Sequence, residues 1–162
     1  MDRIAAGDRS DDALSSLAGR LAKRSAASRW TPSARATTSW KCRTCASPTS
    51  SGELSQVKTL RAPRDVVEKL RLQPNDVLIN EGGDKDKVGR DWVWSGELEC
   101  YIHQNHVFRA RPRLAELDGR HISAYGNEIG RKYFFDQAKQ TTNLASISMR
   151  KVAAVIAQGA GR

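Results

Sequence analysis

From Ile102 to Leu114 the chain reads IHQNHVFRARPRL, which sets amide and imidazole groups beside a row of arginines. The apolar residues around them and the closing Pro112 predict a strand from Cys100 to Arg111, because proline cannot donate to a ladder. An amide both donates and accepts, which matches the two groups adenine shows in the major groove. Gln104, Asn105 and His106 therefore have the chemistry of a base-reading surface. On a regular strand Gln104 and His106 share one face, while Arg109 and Arg111 share the opposite one with Val107. The two sets then take different tasks, and together they give the strand the means to touch both bases and phosphates. A plainer reading stands beside this one: Asn105 and His106 bond backbone groups in the core or cap a loop.

Two further runs have binding chemistry. Lys139-Gln140-Thr141-Thr142-Asn143 is five consecutive polar residues between a predicted helix and a predicted strand, and loops on a rigid scaffold are where binding groups concentrate. Its alternative is a turn in which Thr and Asn bond their own backbone. In the loop from Glu81 to Arg90, Gly82 and Gly83 allow close backbone approach, and Lys85, Lys87 and Arg90 suit phosphates. Asp84 and Asp86 interrupt these cations, so a self-paired, solvated loop is the competing expectation. The loop lacks the Gly-Lys-Ser/Thr ending of a nucleotide cradle. Trp92, Trp94, Tyr101 and Phe108 are expected in the core rather than stacked on bases.

Catalytic patterns are weaker. His103 and His106 are three apart, so on a strand they face opposite ways and cannot share one ion without a bulge. No carboxylate-His or Cys-His pair is fixed by spacing around His121. Cys42 and Cys45 form one Cys-x-x-Cys with only Cys100 besides, which makes neither a tetrahedral zinc set nor a disulfide framework, and the thiols are expected to be reduced in a cytoplasmic protein. A small DNA-modifying enzyme fragment, a nuclease or a piece of a solitary methyltransferase, is the alternative class. The sequence contains no Gly-rich cofactor loop and no Asn/Asp-Pro-Pro-aromatic motif, and Glu97 and Glu99 lack a Lys at fixed spacing. An RNA-binding module of mixed α+β type is a third reading.

These runs need a scaffold, and composition says where one can form. The formal charge is +9, but residues 1–52 carry nine Lys/Arg against four Asp/Glu, while residues 53–152 carry seventeen against fourteen. More than half of the basic excess thus lies outside the region with a folding pattern, and net charge alone is weak evidence for a nucleic-acid partner. Between Ala5 and Gln56 there is no Val, Ile, Phe or Tyr. Such a segment buries too little apolar surface to offset its backbone entropy, so residues 1–53 are expected to be disordered or non-native. Within them, Asp11 to Lys23 has the spacing of a short helix through Leu14, Leu17 and Leu21. No apolar run approaches the roughly 20 residues that span a bilayer.

From Leu54 onward the texture changes. Pro63 opens a short helix through Val66, Val67 and Leu70, and Pro74-Asn75-Asp76 reads as a turn. Strands are predicted at Val77–Asn80, at Trp92–Trp94 and over the long Cys100–Arg111 run. Ile122, Tyr125, Ile129 and Tyr133 fall on one helical face, which makes Gly119–Ala138 the main helix, with Gly126 and Gly130 kept for close packing against the sheet. Leu144–Val152 alternates as a closing strand, and residues 153–162 are left as a tail. The order gives an α+β domain over residues 54–152: a mixed, mainly antiparallel sheet with one main helix.

IHQNHVFRARPRL, with GDKDKVGRDWVW (Gly83 to Trp94) and KQTTNLASISM (Lys139 to Met149), resembles the target recognition domain of the specificity subunit of Type I restriction-modification systems. The resemblance covers roughly Leu54 to Val152 and stops on both sides, so a partial or remnant copy, truncated at both ends, is expected. It implies sequence-specific recognition of one half of a bipartite site on double-stranded DNA, by a subunit that does no chemistry itself. The implied partners are the methyltransferase (modification) subunit and the restriction subunit. S-adenosylmethionine, ATP and Mg would belong to those subunits, leaving this chain with no cofactor. On this resemblance the DNA-binding set is Gln104, Asn105, His106, Arg109, Arg111, Lys139, Gln140, Thr141, Thr142, Asn143, Lys85, Lys87 and Arg90.

Overall fold

In the computed structural model, residues 39–45, 57–103, 106–113, 117–141 and 143–160 are described. These residues build an α+β domain from three small antiparallel sheets and a helical layer.

Strand β1 (Ser39–Cys45) pairs antiparallel with β2 (Val57–Pro63), with Ser39 opposite Pro63 and Cys45 opposite Val57. β1 falls inside the segment expected to be disordered. It has few β-branched residues, and its order comes from the ladder to β2 rather than from its own composition, which sequence periodicity does not report. The helix expected around Leu14, Leu17 and Leu21 lies outside the described residues.

Pro63 fixes the backbone that opens α1 (Arg64–Leu70), which buries Val67 and Leu70 against Ala62 and Ile102. The predicted turn follows, with Asn75 in the left-handed region at φ 74°. Its side chain clamps a distant segment: the amide donates to the Leu117 carbonyl at 3.0 Å, and Oδ1 accepts from the Gly119 N–H at 2.6 Å. Gly119 must be glycine here, because a β-carbon would stand 2.7 Å from the Asn75 carbonyl oxygen.

β3 (Val77–Asn80) is the centre of the main sheet, flanked by β5 (Asp91–Val93) and β6 (Val107–Ala110) in the order β5-β3-β6. All four of its residues are buried, and Val77, Leu78 and Ile79 form a continuous apolar run, closed by the polar Asn80, rather than an alternating pattern. Val77, Ile79 and Phe108 meet the helical layer, whereas Leu78 and Val107 meet Leu72, Trp94 and Tyr101. The Trp94 and Tyr101 rings stack with centroids 4.5 Å apart. A second sheet joins β4 (Gly82–Gly83), β8 (Ala145–Ser146) and β7 (Lys139–Gln140) in the order β4-β8-β7.

The long Cys100–Arg111 strand is not formed. Tyr101 and Ile102 are isolated bridge residues, Ile102 opposite Arg71, and His106 at φ 66° breaks the extended backbone before β6 begins. Cys100, at φ 51°, is disulfide-bonded, contrary to the expected reduced thiols; sequence spacing does not show which sulfurs folding brings together.

The main helix runs where the pattern put it, as α2 (Gly119–Tyr125), a π turn (Gly126–Gly130) and α3 (Arg131–Gln137). Asp118 caps it by accepting from the Arg120 N–H at 2.9 Å. The wider π turn changes which residues face inward. Ile122, Gly126, Gly130, Phe134 and Ala138 are buried at a spacing of four, whereas Ile129 and Tyr133, predicted for the same face as Ile122, are 58% and 37% exposed. Gly126 admits the Asp91 carboxylate of β5, as close sheet packing requires, but Gly130 admits Val155 and Phe134 instead.

The predicted closing strand is confined to Ala145–Ser146. Met149–Ala160 is a helix, α4, and the residues left as a tail form one of the main walls of the core, with Val152 and Ile156 fully buried. The run VAAVIA has alanine's helical preference and apolar residues at i, i+3 and i+4, which outweigh the short alternation ahead of it. The domain therefore extends past Val152 and has two substantial helices rather than one. Among the described residues no helix is long and apolar enough to cross a membrane.

Candidate nucleic-acid interface

Glu81, directly after β3, is the junction of three polar segments. Its N–H donates to the His106 carbonyl at 2.8 Å, and its own carbonyl accepts from the Ile147 N–H at 2.9 Å. The first bond ties in the turn before β6. The second ties in the strand that follows the Lys139–Asn143 run. Across the second sheet Gly82 lies opposite Ser146, and Ser146 lies opposite Lys139, so Lys139 is two strand spacings, about 10 Å, from Gly82. The loop before β5 folds back on the same point: the Asn80 N–H donates to the Arg90 carbonyl, and the Gly89 N–H donates to the Asn80 carbonyl, both at 2.9 Å. Gly89 sits at φ 78° with the Phe134 ring beneath it, which leaves no room for a β-carbon.

The predicted site residues fare differently within this frame. The His106 side chain is 67% exposed, and its Nδ1 lies 3.9 Å from an oxygen of the buried Glu81 carboxylate, an ion-pair distance when the imidazole is protonated. Gln104, Asn105 and Thr142 lie outside the described residues. Lys139, Gln140, Thr141 and Asn143 are all exposed. Thr141 turns partly inward on itself, as its N–H and its Oγ1 both donate to the Leu144 carbonyl at 2.8 Å, shaping the turn that presents its neighbours.

The cations of the Asp84–Arg90 loop are engaged locally. Lys87 pairs with Asp84 at 2.5 Å and Arg90 with Asp86 at 2.9 Å, while Lys85 lies over the Phe135 ring at 4.5 Å. The Lys87 contact lowers the Asp84 carboxyl below its ordinary value and raises the Lys87 amine above its own. Those two groups are fully solvated, so the pair shapes the loop more than it stabilises the fold.

Arg109 and Arg111 share one face, as alternation predicts, but that face looks onto α1. Arg109 donates to the Arg71 carbonyl at 2.9 Å and to the Lys69 carbonyl at 3.2 Å. Burial pulls the Arg109 guanidinium below its ordinary pKa, the charge of Arg111 adds to this, and Asp76 opposes it. Arg111 donates from Nε and Nη2 to the two carboxylate oxygens of the fully buried Asp76, at 2.6 and 2.7 Å, and to the Arg71 carbonyl at 3.0 Å. These guanidiniums fasten β6 to the end of α1, where exposed carbonyls and the helix dipole favour cations. The sequence held a signal for this in Asp76, an acid at the edge of an apolar strand, where an uncompensated charge would be too costly to bury.

Among the described residues, no three His, Cys, Asp or Glu side chains gather as a metal site would require. The surface thus offers exposed amides and cations around one end of the sheet, a set that can donate to and accept from base edges and meet phosphate. No protein-family model and no curated protein matches the chain.

Proposed function

We propose that this chain is a sequence-specific DNA-binding module that reads one half of a bipartite site, as the target recognition domain of a Type I restriction-modification specificity subunit does. The observation that carries the reading is the meeting of three separate polar runs, at His106, at Gly82–Arg90 and at Lys139–Asn143, around Glu81. Two of the quoted stretches that resemble the family contribute to this one end of the sheet, together with the turn at His106 inside the third.

In this reading Gln140, Asn143, Gln104 and Asn105 read base edges, while Lys139 contacts phosphate. Phosphate contacts fix the register of the module on the duplex, and the amides supply discrimination. The chain performs no chemistry. Methylation, with S-adenosylmethionine, belongs to a methyltransferase subunit, and ATP-driven cleavage with Mg belongs to a restriction subunit, both in the cytoplasm. Arg109 and Arg111 act indirectly here, by holding the β6 end of the site in place.

Selection of bound duplexes from a random DNA pool, with the intact chain alone and with a methyltransferase subunit added, tests this at physiological salt. A short enriched motif supports the reading. A folded chain that enriches nothing in either condition overturns it.

A further inference from the structure

The β1–β2 ribbon precedes most of the region that resembles the recognition domain and carries a charge pattern of its own. Its two strands, SWKCRTC and VKTLRAP, contain Lys41, Arg43, Lys58 and Arg61 and no acidic residue. The register sets Lys41 opposite Arg61 and Arg43 opposite Thr59, so these four positions fall on one face of the ribbon. Thr59 and Arg61 are exposed. The alternate positions of β2 turn the other way, where Leu60 and Ala62 pack with Val67, Leu70 and Ile102. The Leu60 and Ala62 face is thus anchored in the domain, and the positions of Lys41, Arg43 and Arg61 share the other.

From this geometry we propose that the outer face of the β1–β2 ribbon grips the phosphate backbone of duplex DNA, as a second contact surface separate from the polar cluster around Glu81. The proposal rests on the DNA-binding reading above. Charge complementarity commits it to a polyanion. The absence of Asn or Gln from both strands commits it to phosphate rather than base edges, so the ribbon supplies affinity and leaves sequence preference alone. A two-stranded ribbon is also narrow enough to follow a major groove about 12 Å wide.

The test is the salt dependence of binding by the intact chain to a fixed DNA duplex. Each phosphate contact contributes a slope of about 0.9 in the logarithm of affinity against the logarithm of salt. The triple variant K41A/R43A/R61A should lower the slope by about 2 to 3 and weaken binding to every duplex alike, with the selected motif unchanged. The charge-keeping variant K41R/R43K/R61K should retain the parent slope, which separates removal of charge from a disturbed ribbon. An unchanged slope in the alanine variant, with the motif still selected, overturns the ribbon proposal and leaves the recognition reading intact. Tighter binding of duplex RNA than of duplex DNA of equal length overturns the commitment to DNA. No DNA binding by the parent chain overturns both.

Discussion

The arginines at the end of β6 and the polar run at β7 look alike as strings of hydrogen-bonding residues, yet one is drawn into the fold and the other left at its surface. Arg109 and Arg111 meet a buried carboxylate and the last carbonyls of α1, whereas Lys139, Gln140 and Asn143 stand exposed beside a tight turn. The difference lies in their neighbours. A buried acid such as Asp76 must be compensated, and the nearest cation on the adjoining strand is taken for that purpose. Among the described residues nothing around Lys139–Asn143 makes a similar demand, because the exposed Thr141 satisfies the turn. Rows of cations are therefore poor guides to a binding face until the buried acids have been matched to partners.

Arg111→Ala sharpens the comparison most. Removing it leaves Asp76 buried without its partner, so stability should fall by about 3 to 5 kcal/mol in denaturant titration. The contrast breaks if Arg111→Ala keeps parent stability and weakens only DNA binding. Arg109→Ala removes two bonds to helix-end carbonyls and should cost less, about 1 to 3 kcal/mol by the same titration.

A second buried acid has no cation partner among the described residues and behaves in the opposite way. Asp91 of β5 is covered by the π turn, and its carboxyl is pushed up to about 7 by burial, with hydrogen bonds from Ser123 and Asn127 pulling it down. Its folded value is above its unfolded one, so its stabilising share is present below pH 4 and disappears as pH rises to about 7. The full change is about 4 kcal/mol, with none further above. Asp91→Asn should flatten the dependence of thermal midpoint on pH between 4 and 7 and raise the midpoint at pH 8. An equally steep fall in the variant would assign that dependence to other groups.

Much of this fold was legible from the chain. β3, the turn at Asn75, α1 and the span of the main helix follow from apolar runs, prolines and helical spacing. The inward face of the helix was not, because period-3.6 reasoning assumes a regular α-helix, and the π turn between Gly126 and Gly130 moves Ile129 and Tyr133 outward. β1 was invisible because its order resides in its partner strand, and α4 was obscured by a brief alternation around Ile147. At the site, the polar run at Lys139–Asn143 was readable as a connection between elements, but its first two residues pair as β7, a strand too short for alternation to reveal. The capture of Arg109 and Arg111 was not, since it depends on α1 ending across from β6, with Asp76 buried between them.

Smaller effects are expected where the surface is free. Gln140→Ala and Asn143→Ala should each leave stability within about 0.5 kcal/mol, since neither side chain is buried. Their effect belongs to discrimination, about 1 to 3 kcal/mol at one base pair for each bidentate amide–base pairing removed.

Duplex selection with the double variant Gln140→Ala/Asn143→Ala, run beside the intact chain, tests the assignment of base reading to this end of the sheet. The account predicts an enriched motif with weaker discrimination at one or two positions, while affinity for unrelated duplexes is kept. An identical motif from both proteins would contradict it.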